Sequence, residues 1–215
     1  MQIEAGGDKL ARGISLARAV RESGRSFIVY DDSRVSQITP HFFDAAHWPA
    51  AQESAPELGG RAPGLFVEYA EQAWVIRHYR RGGMVGRFLV DRFWWSRVER
   101  TRSVREWDLL AQMLALGLPV PAPVAAHVQR SGFWYRADLI SVCLPEVESL
   151  AHRFLDGALT SAEWSAVGAC IARFHALGFC HADMNAFNIQ LGARGRVFIL
   201  DWDRGERRAE GGWPR

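Results

Sequence analysis

The sequence predicts an α+β chain of two lobes, a small strand-rich N-terminal lobe with one main helix and a helical C-terminal lobe. Three observations carry this. Short apolar runs bounded by turn residues recur between Phe27 and Val142, the pattern of hairpins rather than helices. Within that region one stretch, Ser103 to Leu116, switches to helical spacing. Beyond Pro145 helical spacing returns and delivers the chain to a polar loop at His181. A chain of 215 residues accommodates two small lobes sharing a cleft. The expected N-terminal lobe spans about 33–143, the C-terminal lobe about 144–215, and residues 1–32 form an N-terminal extension.

Composition narrows the class. Hydrophobic residues make up 48% and charged residues 23%, enough for a sizeable core in a soluble globular protein. The net charge of +2 lacks polyelectrolyte character, so no nucleic-acid partner is expected from bulk charge. Lys9 is the only lysine, and every other cation is an arginine, whose fork suits phosphate and carboxylate partners. A compositional habit of the source genome gives the same bias. Cys143, Cys170 and Cys180 lack metal-ligand spacing and read as thiols of a reducing compartment. Charged residues interrupt the N-terminus before any signal-like apolar core forms, and no apolar run reaches spanning length. The expected location is cytoplasmic, with a peripheral membrane contact left open.

In chain order, Ile14, Leu16, Ala17 and Val20 fit one face of a short helix, and Phe27–Tyr30 fits a strand. Residues 33–56 mix aromatics and prolines in an irregular packed segment. Gly59, Gly60 and Gly64 sit in a turn-rich stretch before a hairpin of Leu65–Tyr69 and Ala73–Tyr79. Such glycines let backbone N–H groups approach phosphates, although a plain turn gives the same sequence. Arg80 to Arg97 interleaves arginines with Phe88, Phe93, Trp94 and Trp95. This segment fits an anionic sugar-lipid head group, a single-stranded nucleic acid, or simply core aromatics with a solvated arginine rim. Val104, Trp107, Leu110, Ala111 and Leu114 mark the main helix, and Gly117 ends it. A stiff Leu118–Ala126 connection leads to strands near Ala125–Arg130 and Phe133–Val142. A helix starts within Ser149–Phe154, and another runs over Thr160–Leu177 with Thr160 or Ser161 as cap and Glu163 in its first turn.

The stretch His181 to Asp203, HADMNAFNIQLGARGRVFILDWD, carries the chemistry. It reads His-x-Asp-x4-Asn, then an apolar run, Val197–Leu200, closing on Asp201. An Asp within reach of a hydroxyl accepts its proton. An Asn and a second Asp supply the oxygen ligands that magnesium takes beside nucleotide phosphates. His181 holds the loop. This is the order of a kinase catalytic loop and its metal-binding Asp. The motif therefore makes Asp183 and His181 candidate catalytic residues, Asn188 and Asp201 candidate metal ligands, and ATP with Mg2+ the expected cofactors. Arg77 in Trp74-Val-Ile-Arg77 stands where a kinase carries its strand lysine, with Arg80 and Arg81 as competitors. Glu106, one turn into the main helix, is its natural partner. After Asp203 the chain reads as a polar, poorly ordered tail.

With these residues placed, the chain resembles the lipopolysaccharide kinases, and within them those acting on 3-deoxy-D-manno-octulosonic acid (Kdo). VIRHYRRGGMVGRF, REWDLLAQMLALGLPVPAP, YRADLI, HADMNAFNI and LDWDRG carry the likeness, over roughly residues 37–205. The resemblance implies a compact protein-kinase-like fold and ATP-dependent phosphorylation of a Kdo hydroxyl on a lipid A precursor. It implies the cytoplasmic face of a Gram-negative inner membrane as the location. Carried over residue by residue, Asp183 is the base, Asn188 and Asp201 hold metal, Arg77 holds nucleotide phosphates and Glu106 steadies it. Asp203 stands where protein kinases have glycine, and the family is expected to carry Asp there. The Gly59–Gly64 loop is poorer in glycine than a strong phosphate-binding loop. Two alternatives stay open: a kinase for another small molecule, and a catalytically weak module binding anionic lipid.

Overall fold

The computed structural model describes residues 16–53, 64–80, 91–157 and 159–209. The chain is α+β, with thirteen strands and three α-helices among the described residues. The strands are β1 (Arg18–Ser23), β2 (Ser26–Asp31), β3 (Gln52–Glu53), β4 (Leu65–Tyr69), β5 (Gln72–His78), β6 (Phe93–Trp94), β7 (Pro123–Ser131), β8 (Trp134–Val142), β9 (Val147–Ser149), β10 (Phe179–Cys180), β11 (Ile189–Gly192), β12 (Val197–Ile199) and β13 (Glu206–Arg207). The helices are α1 (Arg102–Ala115), α2 (Leu150–Leu155) and α3 (Ser161–Ala176).

The main sheet runs β1-β2-β7-β8-β5-β4-β3 with antiparallel neighbours, and β6 adds to β8. This corrects the N-terminal reading. From Arg18 the segment expected as an extension is a hairpin of the main sheet. Leu16, Ala17 and Val20 lie at or in a strand rather than on a helix; Ile14 is outside the described residues. The reason lies in β2, whose Ile28 and Val29 are buried and whose partner is β7. Once β2 is in the sheet, β1 needs only the turn at Gly24 to fold back along it.

The sheet separates two apolar clusters. One face carries Ile28, Val67, Trp74, Ile76, Ala125 and Ile140 under Val35, Ile38 and Phe42. The other face packs on α1, whose Val104, Trp107, Leu110, Met113 and Leu114 recur at helical spacing and are buried. The helix stops where Gly117 takes a left-handed φ of 71°, a conformation that favours glycine. The same cluster continues without a break into Phe174 of α3, Phe179, Ile189, Leu191, Ile199 and Trp202. α3 begins at a capping box: the Thr160 hydroxyl accepts from the Glu163 N–H, and the Glu163 carboxylate accepts from the Thr160 N–H.

Two small sheets complete the second half. β11 lies between β9 and β12, and β10 pairs with β13. The β10–β13 pair corrects the expected polar tail, because residues 204–209 are folded onto the body. The Arg208 N–H donates to the Gly178 carbonyl at 2.8 Å, a return the composition of this segment does not signal. Among the described residues, no helix is long and apolar enough to cross a membrane.

Candidate active site

The loop after β10 is held by its own side chains. His181 Nδ1 accepts from the Asp183 N–H at 3.2 Å, and its Nε2 donates to the Leu200 carbonyl at 2.8 Å. One tautomer, with the proton on Nε2, satisfies both bonds. The Asn185 carboxamide oxygen accepts from the N–H groups of Phe187 and Asn188, at 3.0 and 3.2 Å. The Asp183 carbonyl accepts from the amides of Asn185 and Asn188, at 3.3 and 2.7 Å. With the backbone so occupied, Asp183 projects an exposed carboxylate that accepts no hydrogen bond from a described residue.

Asn188 is fully buried. Its Nδ2 is engaged by Asp183, and its backbone carbonyl accepts from the Leu200 N–H at 2.8 Å. Its Oδ1 is buried with no hydrogen-bond partner among the described residues. An unmatched buried acceptor costs about 1–3 kcal/mol, so it marks a place where a bound group is expected to complete the set. Leu200 thus ties the loop to the end of β12 through both His181 and Asn188, and Asp201 follows directly.

Asp201 has a φ of 62°, in the left-handed region that non-glycine residues rarely occupy. Arg77 steadies its side chain, donating from Nη1 to Asp201 Oδ1 at 2.9 Å. The other arm of the same fork, Nη2, donates to Glu106 Oε1. Burial pulls the Arg77 pKa down, but the charges of Glu106 and Asp201 outweigh it and raise the pKa above the ordinary arginine value. Glu106 is 1% exposed and accepts two further bonds: from the Tyr79 hydroxyl and, at 3.1 Å, from the Trp202 N–H. Burial and the neighbouring Glu106 push the Tyr79 pKa well up, so its proton stays on the hydroxyl.

A second link runs one helical turn back. Arg102 donates to Asp203 Oδ2, with its guanidinium carbon 5.3 Å from the Tyr79 ring centroid and 4.8 Å from that of Phe93. α1 therefore grips the Asp201–Asp203 turn at two points, Glu106 on the backbone of Trp202 and Arg102 on Asp203. Trp202 is the anchor between them. Its ring stacks on Phe174 at 5.0 Å and meets His181 edge-on at 4.7 Å.

The sequence-expected residues divide as follows. Asp183, Asn188, His181 and Asp201 are joined through Leu200, and Arg77 and Glu106 meet each other and Asp201. Arg80 is exposed, and Arg81 lies outside the described residues, as do Gly59 and Gly60. Gly64 is described; a Cβ there would stand 2.9 Å from Val75 Cγ1, so packing against β5 accounts for it. Tyr79 and Arg102, and any role for Asp203, were missed. Both of the first two were within reach of periodicity: Tyr79 is two residues from Arg77, just past the end of β5, and Arg102 is four from Glu106 on one helix. Among the described residues no three His, Cys, Asp or Glu side chains group as a metal site.

An exposed carboxylate beside a buried, half-satisfied amide, with an arginine leashing a second carboxylate at a strand end, is the equipment of a phosphotransferase acting on a hydroxyl. The chain matches the Lipopolysaccharide kinase (Kdo/WaaP) family over residues 45–213. It belongs to that family. It is 33% identical over 195 residues to the 3-deoxy-D-manno-octulosonic acid kinase of Vibrio vulnificus (strain CMCP6), covering 91% of this chain and 83% of the relative. It is 40% identical over 181 residues to the protein of the same description from Xylella fastidiosa (strain 9a5c), covering 84% and 72%. Among solved structures it is similar to monomeric WbdD at a TM-score of 0.46 and 17% identity, over 74% of this chain and 37% of that one.

Proposed function

We propose that the chain transfers the γ-phosphoryl group of ATP to a hydroxyl of a Kdo sugar on a lipid A precursor, in lipopolysaccharide core biosynthesis. The reading is supported by family membership and by relatives named as Kdo kinases. The single observation that carries the chemistry is the unmatched Oδ1 of buried Asn188 beside the Asp183 loop and the end of β12. The donor set fits magnesium, which binds through one or two protein oxygens plus substrate phosphates and water. Asn188 and Asp201 would hold it. When bound, it neutralises phosphate charge.

The remaining work falls to side chains. Asp183 orients the acceptor hydroxyl and takes its proton as the new O–P bond forms and the bond from Pγ to the ADP oxygen breaks. His181 keeps the Asp183 backbone in place. Arg77 stands ready for nucleotide phosphates, and Gly59 and Gly60 are proposed as residues whose backbone N–H groups meet them. In this reading the sheet and α1 form the N-terminal lobe, from about residue 18 to 143, and residues from about 144 onward form the helical lobe of a protein-kinase-like fold. The proposed location is the cytoplasmic face of the inner membrane, in peripheral contact.

The test is purified protein with labelled ATP, magnesium and three acceptors: Kdo-lipid A precursor, free Kdo and an aminoglycoside. Label is expected on a Kdo-containing acceptor and absent from the aminoglycoside. Asp183→Ala abolishes transfer and still binds ATP. Undiminished turnover in that variant defeats the assignment.

A further inference from the structure

The chain exposes an aromatic cluster that the site does not use. Phe133, at the β7–β8 turn, is 73% exposed, and Trp94 of β6 is 63% exposed. Their rings stack at 5.8 Å and 10°, and Trp134 meets Trp94 edge-on at 5.5 Å. The pairing is built in: Trp94 lies opposite Trp134 in the β6–β8 register, and the Trp95 N–H donates to the Phe133 carbonyl at 2.9 Å. Arginines rim it. Arg92, Arg97, Arg100 and Arg130 are exposed. Arg130 lies over the Trp95 ring at 4.9 Å and donates from Nε to the Gly132 carbonyl at 3.1 Å. Between Arg92 and Arg100 the only acid is Glu99, and Asp91 is taken up by Arg136 at 2.7 Å.

Stacked, exposed aromatic rings cost free energy in water, and arginines around them repel one another. Both costs reverse at a bilayer with anionic head groups, where Trp settles at the head-group level and guanidinium groups meet phosphates. The other exposed aromatic pair, Phe154 and Trp164, sits beside Glu163 and Asp156 and lacks such a rim. We infer that the Trp94–Phe133 tip with Arg92, Arg97 and Arg130 is the surface by which this chain docks on an anionic membrane. The inference rests on the proposed lipid-linked acceptor for its purpose and on the surface alone for its geometry. It also has a consequence for the site. β6 turns Trp94 outward and the neighbouring Phe93 inward, onto the arginine that holds Asp203. Docking through this tip therefore sets where the active site sits above the head groups.

The test is sedimentation of the full chain with vesicles of phosphatidylcholine, with and without phosphatidylglycerol. Wild type is expected to pellet with the anionic vesicles, less so at high salt. The Trp94→Ser, Phe133→Ser double variant should pellet at least tenfold less, with an unchanged unfolding midpoint and unchanged transfer to free Kdo. Phe154→Ser should pellet as wild type. Wild-type pelleting by the double variant, equal binding to neutral vesicles, or preference for a single-stranded oligonucleotide overturns the inference. If wild type phosphorylates none of the acceptors yet pellets as expected, the proposed reaction fails and the docking surface stands.

Discussion

Removing the Glu106 carboxylate is the sharpest test of how the site is held. Glu106→Ala leaves two buried donors, the Tyr79 hydroxyl and the Trp202 N–H, without their acceptor, and leaves Arg77 with Asp201 as its remaining ion-pair partner here. An orphaned buried donor costs about 1–3 kcal/mol. Breaking one side of a buried ion pair costs about 3–5 kcal/mol. These terms describe the same lost carboxylate and overlap, so the expected total is about 3–5 kcal/mol. At roughly 2–4 °C per kcal/mol for a chain of this size, the unfolding midpoint falls by roughly 6–20 °C. Glu106→Gln keeps an acceptor for Trp202 and loses the charge, for about 1.5–3 kcal/mol. The decisive assay is denaturant unfolding of Glu106→Gln, Arg77→Met and their combination, alongside KM for ATP. Groups in one network couple, so the double variant should lose at least about 1 kcal/mol less than the two single losses summed. Additive losses, or a wild-type midpoint in Glu106→Ala, would refute the reasoning.

Asn188→Ala removes the unmatched oxygen, and magnesium-dependent stabilisation by ATP in a thermal-shift titration should weaken at least roughly tenfold. Asp203→Asn weakens the Arg102 link; it should cost about 1–3 kcal/mol and lower kcat more than it raises KM for ATP, and Asp203→Glu should restore part of kcat. The His78 pKa is raised, first by its hydrogen bond to Asp138, against burial. Burial pulls the Asp138 pKa up, but bonds from His127 and His78 leave it below the ordinary value. The histidine contribution is complete below its ordinary pKa of 6.5 and fades as pH rises through the raised value. The Asp138 contribution is complete above 3.8 and fades as pH falls through the lowered value. Stability should therefore peak between these values, and His78→Gln should flatten the alkaline decline of the unfolding midpoint.

α1, α3 and the β4–β5 hairpin were legible because each has a local cause: apolar spacing in α1, a capping box in α3, turn residues between the strands. That His181, Asp183, Asn188 and Asp201 share one loop-and-strand-end arrangement was legible because they lie within a stretch of 23 positions. What was not legible depends on partners far along the chain. β2 was legible as a strand, but β1 was misjudged because β2 is recruited to the main sheet by β7, about a hundred residues later, and β1 folds back on it. The 204–209 return depends on Gly178, whose φ of 82° favours glycine and where an added Cβ would collide with the Arg208 carbonyl. Neither residue advertises the other. Asp203 was seen without its function because Arg102 stands 101 positions away and reads, alone, as a solvated helix residue.

A cation set that is arginine apart from Lys9 also bears on how the turn after β12 is held. Arg77 reaches two carboxylates at once, Glu106 with one arm of its fork and Asp201 with the other. A lysine ammonium is a compact point charge, and it lacks the planar spread that lets one side chain bridge acids fixed on different elements. Asp201 needs that restraint, since its left-handed backbone costs of order 1–3 kcal/mol and persists only where its surroundings over-determine it. Arg77 restrains its carboxylate, Glu106 the Trp202 N–H, and Arg102 the Asp203 side chain. All three restraints come from β5 and one face of α1. The strain at Asp201 is thus offset in part by the rigid sheet-and-helix layer, so a perturbation of α1 is felt at the strand end.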